Sequence, residues 1–564
     1  MTAGALARIE QWFLRAGLFL LPLAFSWDTY DRYVLPKVFV ARILVLGLLI
    51  FYVARSISAR SLVFKRTPLD LPLLAFLASA VVSTVLAENQ NVAIFGIYSR
   101  YDGLVTILTY AALFWLSTQA IEGPGDARSL LRVLIVSGYA VAAIAIVQSV
   151  TDPLREGALA QAFGTLGQQN VLGAFLAMLL PLTYGELIEA RGWSGRILAI
   201  NALVVIGLAL VLTFSRSAWL GTAAAAVVVV AGTRSTGAKV GVASLATLLV
   251  AGVALAALST AGGLRLEESL GARALSIFDP SAWGPRPAIW RDSLQLIASR
   301  PLLGYGPDNF GLVFPRFQSS LLGTVQIDKA HSEALQIAAT QGLMGLAAYL
   351  WLLATFVRAF IRGRRAVGAY AIFAAWVGYQ ITLQFNFSAI AAAFPFWVFA
   401  AAAFASWSPP TQTKSLSLRR SALIPVGGVV MAGAVALAAG STVLPYLADA
   451  HLLKAVNADY KRQLDLAQTE ASIARQLGSR ESVYAVEVGN LAFERRDWAA
   501  ARLAYLDAAQ LGTYNPAVYR NLALADRDLG LRSEGEAAAR KAVELDRFDP
   551  ANQALLSQFE GGTP

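Results

Sequence analysis

Apolar runs of about 18 to 25 residues recur from Trp12 to Leu444, separated by short polar connections. A helix rises about 1.5 Å per residue, so each run is long enough to cross the hydrocarbon core of a bilayer. The pattern predicts thirteen spans, at 12–27, 37–54, 69–87, 103–120, 130–149, 170–188, 197–214, 217–232, 240–260, 333–357, 368–385, 389–407 and 421–445. Each is expected to be helical, because lipid offers no partner for open backbone N–H and C=O groups. The first run follows Arg8 and Arg15 as a signal peptide would, but no small-residue cleavage site follows, so it reads as an uncleaved span.

After Pro445 the pattern changes to a polar, alanine-rich one with helical periodicity. Pro516 and Pro550 stand 34 residues apart, and Ala504/Ala538, Ala508/Ala542 and Leu511/Leu545 keep that spacing. Two helices per 34 residues, with small residues where they cross and a closing proline, is the tetratricopeptide pattern. The expected class is therefore all-α: a polytopic helical membrane protein with a C-terminal helical-repeat domain. Its expected divisions are helices 1–9 over 1–261, a long loop over 262–331, helices 10–13 over 332–446, and the repeats over 447–564. The repeats read equally as a cap on the membrane part or as a docking surface for a protein partner.

Composition supports this class. Of 564 residues, 57% are hydrophobic and 15% charged, against about a quarter charged in soluble domains. The absence of cysteine removes disulfides, thiolate metal sites and a Cys nucleophile. The net charge of +10 is distributed as membrane topology requires and does not point to nucleic acid. Arg55, Arg60, Lys65 and Arg66, then Arg128, Arg191 and Arg196, Arg234 and Lys239, Arg362, Arg364 and Arg365, and Lys414, Arg419 and Arg420 fall on alternate loops. Those loops should be cytoplasmic, with the N-terminus inside and the C-terminal domain outside.

On the outer side one connection, Gly262 to Ala330, is far longer than the rest, and long ordered loops are usually functional. Within it Pro287–Ser299 reads as an amphipathic helix, with Ile289, Trp290, Leu294 and Ile297 on one stripe. His331 closes the loop, in Asp328-Lys329-Ala330-His331-Ser332-Glu333, and a histidine there can serve as a general base. Arg216, in Thr213-Phe214-Ser215-Arg216-Ser217, breaks the basic-inside preference, and ionisable residues at the membrane are functional candidates. Arg286 opens the loop helix. Asn170 begins the sixth span and suits an N-cap. Arg100 lies between Tyr98 and Tyr101 in another outer loop. His451 reads as a helix-face residue. The sequence shows no phosphate-binding glycine loop with a lysine, no two-histidine metal spacing and no close pair of outer carboxylates.

Five segments together resemble the O-antigen ligase and O-antigen polymerase superfamily over roughly residues 10–410. They are Asp328–Gln336 with Gly342 and Gly345, Thr213–Ser217, Arg286…Trp290…Pro301-Leu302-Leu303-Gly304-Tyr305-Gly306, Gly164…Asn170-Val171-Leu172-Gly173, and Phe95-Gly96…Asp102-Gly103. The chain departs from the pattern at Gln341, where relatives often carry an acid. The resemblance implies a glycosyltransferase in a bacterial cytoplasmic membrane. Its donor would be a glycan on a polyprenyl pyrophosphate, and its acceptor a hydroxyl of a glycolipid, glycan or protein. It implies His331 as base, Arg216 and Arg286 on the pyrophosphate, Arg100 and Asn170 near the substrate, and no metal, ATP or other cofactor. A ligase ranks first. A polymerase and a protein O-oligosaccharyltransferase fit the same core, and a lipid-linked glycan transporter or a membrane anchor for the repeats are readings of a different class.

Overall fold

The computed structural model describes residues 2–151, 161–232, 283–407, 412–417 and 420–561. Among the described residues nine α-helices come first, in three groups. They are α1 (Ala3–Leu23), α2 (Leu35–Ala59), α3 (Asp70–Val85) and the short α4 (Gln90–Phe95); then α5 (Leu104–Ala120) and α6 (Pro124–Thr151); then α7 (Gln169–Glu189), α8 (Trp193–Leu212) and α9 (Arg216–Gly232). The predicted span 240–260, and the loop arginines Arg265 and Arg273, lie outside the described residues. After them come α10 (Arg286–Ser299), α11 (Glu333–Gly363), α12 (Ala369–Gln384), α13 (Ile390–Trp407) and α14 (Arg420–Ala438). Seven of the described helices are long and apolar enough to cross a membrane, and α3, α5 and α9 are shorter apolar helices. The fold is all-α and polytopic, and among the described residues the strands form one antiparallel ribbon, Ser61–Arg66 with Gln412–Ser417.

Two boundaries differ most from the sequence pattern. The first helix starts at Ala3, because its charged residues are paired inside the bundle instead of being excluded from it. Buried Glu10 meets Arg55 at 3.3 Å, and Arg15 meets Asp126 at 2.8 Å. At the other end the chain does not leave the helix near Pro445. It widens into a π turn, Ala439–Val443, and continues as α15 (Leu444–Tyr460).

Six further helices follow: α16 (Leu464–Leu477), α17 (Ser482–Glu494), α18 (Trp498–Leu511), α19 (Pro516–Asp528), α20 (Arg532–Leu545) and α21 (Pro550–Glu560). Alanines fill their crossings, among them Ala467, Ala485, Ala501, Ala523 and Ala539, all buried, so the backbones approach closely. The 34-residue repeat has a local cause. Asn515 and Asp549 each cap the helix that follows, accepting from the amides of Ala517 and Ala551, and a proline takes the first helical position after each.

The repeat helices rest on the connections after α1, α3 and α10: Asp31 N donates to Asp449 Oδ2 (2.8 Å) and Asn89 Nδ2 to the Gln510 carbonyl (3.2 Å). Asn91 Nδ2 donates to the carbonyls of Arg480 and Leu511 (2.8 and 3.0 Å), and Arg316 pairs with both Glu88 and Glu544 (2.6 and 2.8 Å).

Candidate functional site

α11 is two helices joined at Gly342. That residue has φ +69°, and a Cβ there would stand 2.2 Å from the Leu302 carbonyl oxygen. The loop segment 301–306 runs into the break. Leu343 N donates to Pro301 O (2.7 Å), Tyr305 N to Ala339 O (3.1 Å) and Gly306 N to Thr340 O (2.8 Å). Open backbone at this depth is tolerated because protein groups satisfy it. Hydropathy over 333–357 is continuous across the break and does not reveal it. Gln341 beside the break accepts from Ser79 Oγ at 2.9 Å, a neutral contact where an acid would be costly to bury.

The break and loop hold the turn at His331, which has φ +51°. A non-glycine residue there costs about 1–3 kcal/mol and persists only when its surroundings fix it. On one side Lys329 is buried between Asp102 (2.7 Å) and Asp308 (2.8 Å), and Ala330 N donates to Gln336 Oε1 (2.8 Å). On the other, the His331 carbonyl accepts from Trp290 Nε1 (3.3 Å). The carboxylates of Asp102 and Asp308 are thus close in space although 206 residues apart, a pair the sequence did not reveal. Burial pushes the Asp102 carboxyl up to about 6 against the pull of Lys329, whose own pKa is raised by the two carboxylates despite burial.

The His331 ring packs edge-on against Phe387 (5.5 Å), and its Nδ1 is buried without a hydrogen-bond partner. Burial, then the charge of Arg286, lowers its pKa to about 4, with Asp328 opposing and Arg100 adding to the fall. The imidazole is therefore neutral throughout the physiological range, rather than titrating near 6.5 as an exposed histidine would. Arg100 contacts the same Phe387 ring (5.1 Å) while bonding to Asp328 (2.6 Å).

Arg286 begins α10, and Trp290, one turn on, stacks near Phe385 (6.2 Å) while holding His331. The buried side of α10 is Ile289, Asp292, Ser293 and Leu296; Leu294, expected on the apolar stripe, is 57% exposed. Asp292 turns inward because the Ser319 amide (2.8 Å) and Arg291 (2.8 Å) satisfy its carboxylate. Arg216 begins α9, after Phe214 reverses the chain with φ +52°. Ser215 Oγ donates to Asn170 Oδ1 (2.8 Å), so Asn170 braces the arginine turn; Gln168, not Asn170, caps α7. Ser217 O accepts from Thr382 Oγ1 (3.3 Å).

These pieces share the turn after α12, residues 385–388, which the sequence reading did not single out. Thr382 just before it touches the Arg216 turn, Phe385 touches Trp290, Phe387 touches His331 and Arg100, and Ser388 N donates to Glu333 (2.7 Å). Beside it a cleft runs between helices, polar at Asp102, Asp308, Lys329 and Glu333 and apolar deeper, at residues such as Leu352 and Trp397. Phe387 is a wall of this cleft; Arg216 and Arg286 are not. From the repeats, Tyr514 reaches Gly311 (3.7 Å to a Cβ placed there) and feels the charges of Asp328 and Arg100, which places it above the site. His451 lies apart, paired with Glu470 (2.5 Å).

Comparison with known proteins bears on this region. Residues 201–350 match the family model described as O-antigen ligase. The match spans Arg216, Arg286, Trp290, His331 and Gly342, while Arg100, Asn170 and Phe387 come from outside it. O-antigen ligase similarity joined to a polytopic helical fold gives a membrane protein of the glycan ligase and polymerase kind. No curated protein matches the chain. Among solved structures the TPR domain of Arabidopsis OM64 is 16% identical, covering 21% of this chain and 96% of that domain with a TM-score of 0.20.

Proposed function

We propose that the protein transfers a glycan from a polyprenyl pyrophosphate to an acceptor hydroxyl at the outer face of a bacterial cytoplasmic membrane, without metal or ATP. The observation that carries this reading is that the segments bearing His331, Arg286 and Arg216, all within the O-antigen ligase match, meet the end of α12 and the turn after it, through His331 against Phe387, Trp290 against Phe385 and the Ser217 carbonyl on Thr382. The acceptor oxygen attacks the anomeric carbon. The bond from that carbon to the pyrophosphate oxygen breaks, and the electron pair leaves with the pyrophosphate. His331 takes the hydroxyl proton as the new C–O bond forms, and Arg216 and Arg286 neutralise the leaving group through charge-assisted hydrogen bonds. Attack opposite the leaving group inverts the anomeric centre. A base with a pKa near 4 is weak but unprotonated at neutral pH, which suits late removal of the proton from a hydroxyl oxygen already bonding to a positively charged anomeric carbon. Arg100 and Asn170 position the site, and the apolar cleft takes the isoprenoid tail. Among the described basic loops, Arg55 and Lys65 bond to the Gln119 carbonyl and Arg128 pairs with Glu189, at helix ends away from this turn, so the C-terminal repeats would be outside.

A protein or growing-glycan acceptor is the second reading, favoured by Tyr514, which brings the repeats to the site. The test is glycan transfer by the purified chain in detergent, with chelator and without ATP. Wild type should transfer, and His331→Ala, Arg216→Ala and Arg286→Ala should each lose about 10²-fold or more. Variants that fold and transfer as well as wild type would sink the assignment.

A further inference from the structure

A charged residue inside a membrane helix is costly and is normally kept for a task. α2 carries such a residue, Arg42, away from the His331 turn. Its guanidinium donates to the Ser441 carbonyl and, at 3.5 Å, to Thr106 Oγ1, while its buried Nε has no partner. The Ser441 carbonyl is presented by the π turn Ala439–Val443, the kind of irregularity that recurs at functional sites.

Beside Arg42 lies a second cavity, between α2, the π turn and the first repeat hairpin. Tyr101 lines it, 4% exposed, with its hydroxyl also buried and unpartnered. Arg480 lines it from the repeats, held over Phe95 at 4.3 Å. Glu481 completes the wall, and burial pushes its carboxyl up to about 8, so at neutral pH it is mostly an O–H donor. The cavity thus offers two guanidinium groups and two hydroxyl donors, and no ionised acid at its wall under those conditions. Buried donors left unsatisfied are destabilising, and an anion with several acceptor oxygens would satisfy them together.

We propose that this cavity binds the phosphate-bearing headgroup of a membrane lipid, at a site separate from the His331 turn. A lipid is favoured over a soluble phosphate by what lies along the helix: Val443, Leu444 and Leu447 are 37, 40 and 46% exposed, an apolar surface for acyl chains. The headgroup would pin α2 to the π turn and the repeats. Tyr101 also connects it to the glycan site, standing between Arg100 and Asp102.

The test is native mass spectrometry of the full chain in neutral detergent, titrated with phosphatidylglycerol or with diacylglycerol, which lacks phosphate. Inorganic phosphate is added in a parallel thermal-shift series. Wild type and Arg365→Gln, which loses an exposed charge elsewhere, should retain phosphatidylglycerol and release diacylglycerol. Arg42→Gln should bind about tenfold more weakly or worse, and Tyr101→Phe a few-fold more weakly. Equal retention by wild type and a monodisperse Arg42→Gln would overturn the site. If Arg42→Gln does not fold, unchanged retention by Tyr101→Phe would overturn it instead. Stabilisation by inorganic phosphate as large as that by the lipid would overturn the lipid as the source.

Discussion

The indole Nε1 of Trp290 donates to the backbone carbonyl of His331 at 3.3 Å, fastening the helix that begins at Arg286 to the turn that carries the histidine. This contact thereby ties the proposed base to the helix that carries one of the proposed pyrophosphate ligands. Trp290→Phe keeps the ring beside Phe385 and removes only the donor. Transfer should fall about three- to tenfold in kcat, as expected for one neutral hydrogen bond, with KM and thermal stability little changed. An unaltered kcat in steady-state assays would mean that the contact does not position the histidine.

The pH dependence of transfer follows from His331. Burial and Arg286 depress its pKa to about 4, so its active, unprotonated form persists until the pH falls through that value. Transfer rates should therefore be nearly flat from pH 8 to 5, with the His331 limb below 5. Folding has the same sign: the unfolded histidine binds a proton below about 6.5 and the folded one does not, so its contribution to stability is lost as pH falls from 6.5 towards 4. An acid limb centred on 6.5 in a pH–rate profile would count against this environment.

Lys329 is the counter-charge for two carboxylates. Its side chain is 3% exposed and that of Asp308 2%. Lys329→Met should cost about 3–5 kcal/mol, because removing one partner leaves buried charge uncompensated. The sign with pH is defined. Without the lysine, the Asp102 pKa, already raised to about 6, rises further, and a raised carboxyl stabilises the fold at low pH and loses that contribution as pH climbs through its folded value. The deficit should thus be largest near pH 8 and shrink below pH 6, as read from unfolding midpoints in detergent. A deficit independent of pH would point to lost packing rather than lost charge.

Gly342→Ala places a Cβ 2.2 Å from the Leu302 oxygen on a backbone with φ +69°. A loss of about 2–4 kcal/mol is expected. Gly428→Ala, where a Cβ meets nothing within 4 Å, should be neutral or slightly stabilising. Equal unfolding midpoints for the two variants would contradict the break in α11.

Much was legible in the chain itself. A lipid solvent forces each long apolar run to satisfy its own backbone, so the runs read directly as helices, and the 34-residue spacing of alanines and prolines read as stacked pairs. Arg216 and His331 stood out because charge and imidazole are expensive at a membrane edge, whereas Arg286 entered only through the family resemblance. What the sequence could not supply were relations between distant segments. Glu10 is tolerated inside α1 only because Arg55 faces it. Asp102 and Asp308 become a pair only because Lys329 lies between them. Phe387, an ordinary aromatic in an apolar run, becomes the shared wall for Arg100 and His331 once α12 brings the 385–388 turn beside the loop. Periodicity and hydropathy are local quantities set by the solvent each residue meets. Charge compensation, ring contacts and the helix break at Gly342 depend on which segments the packed bundle brings together, and only the tertiary structure decides that.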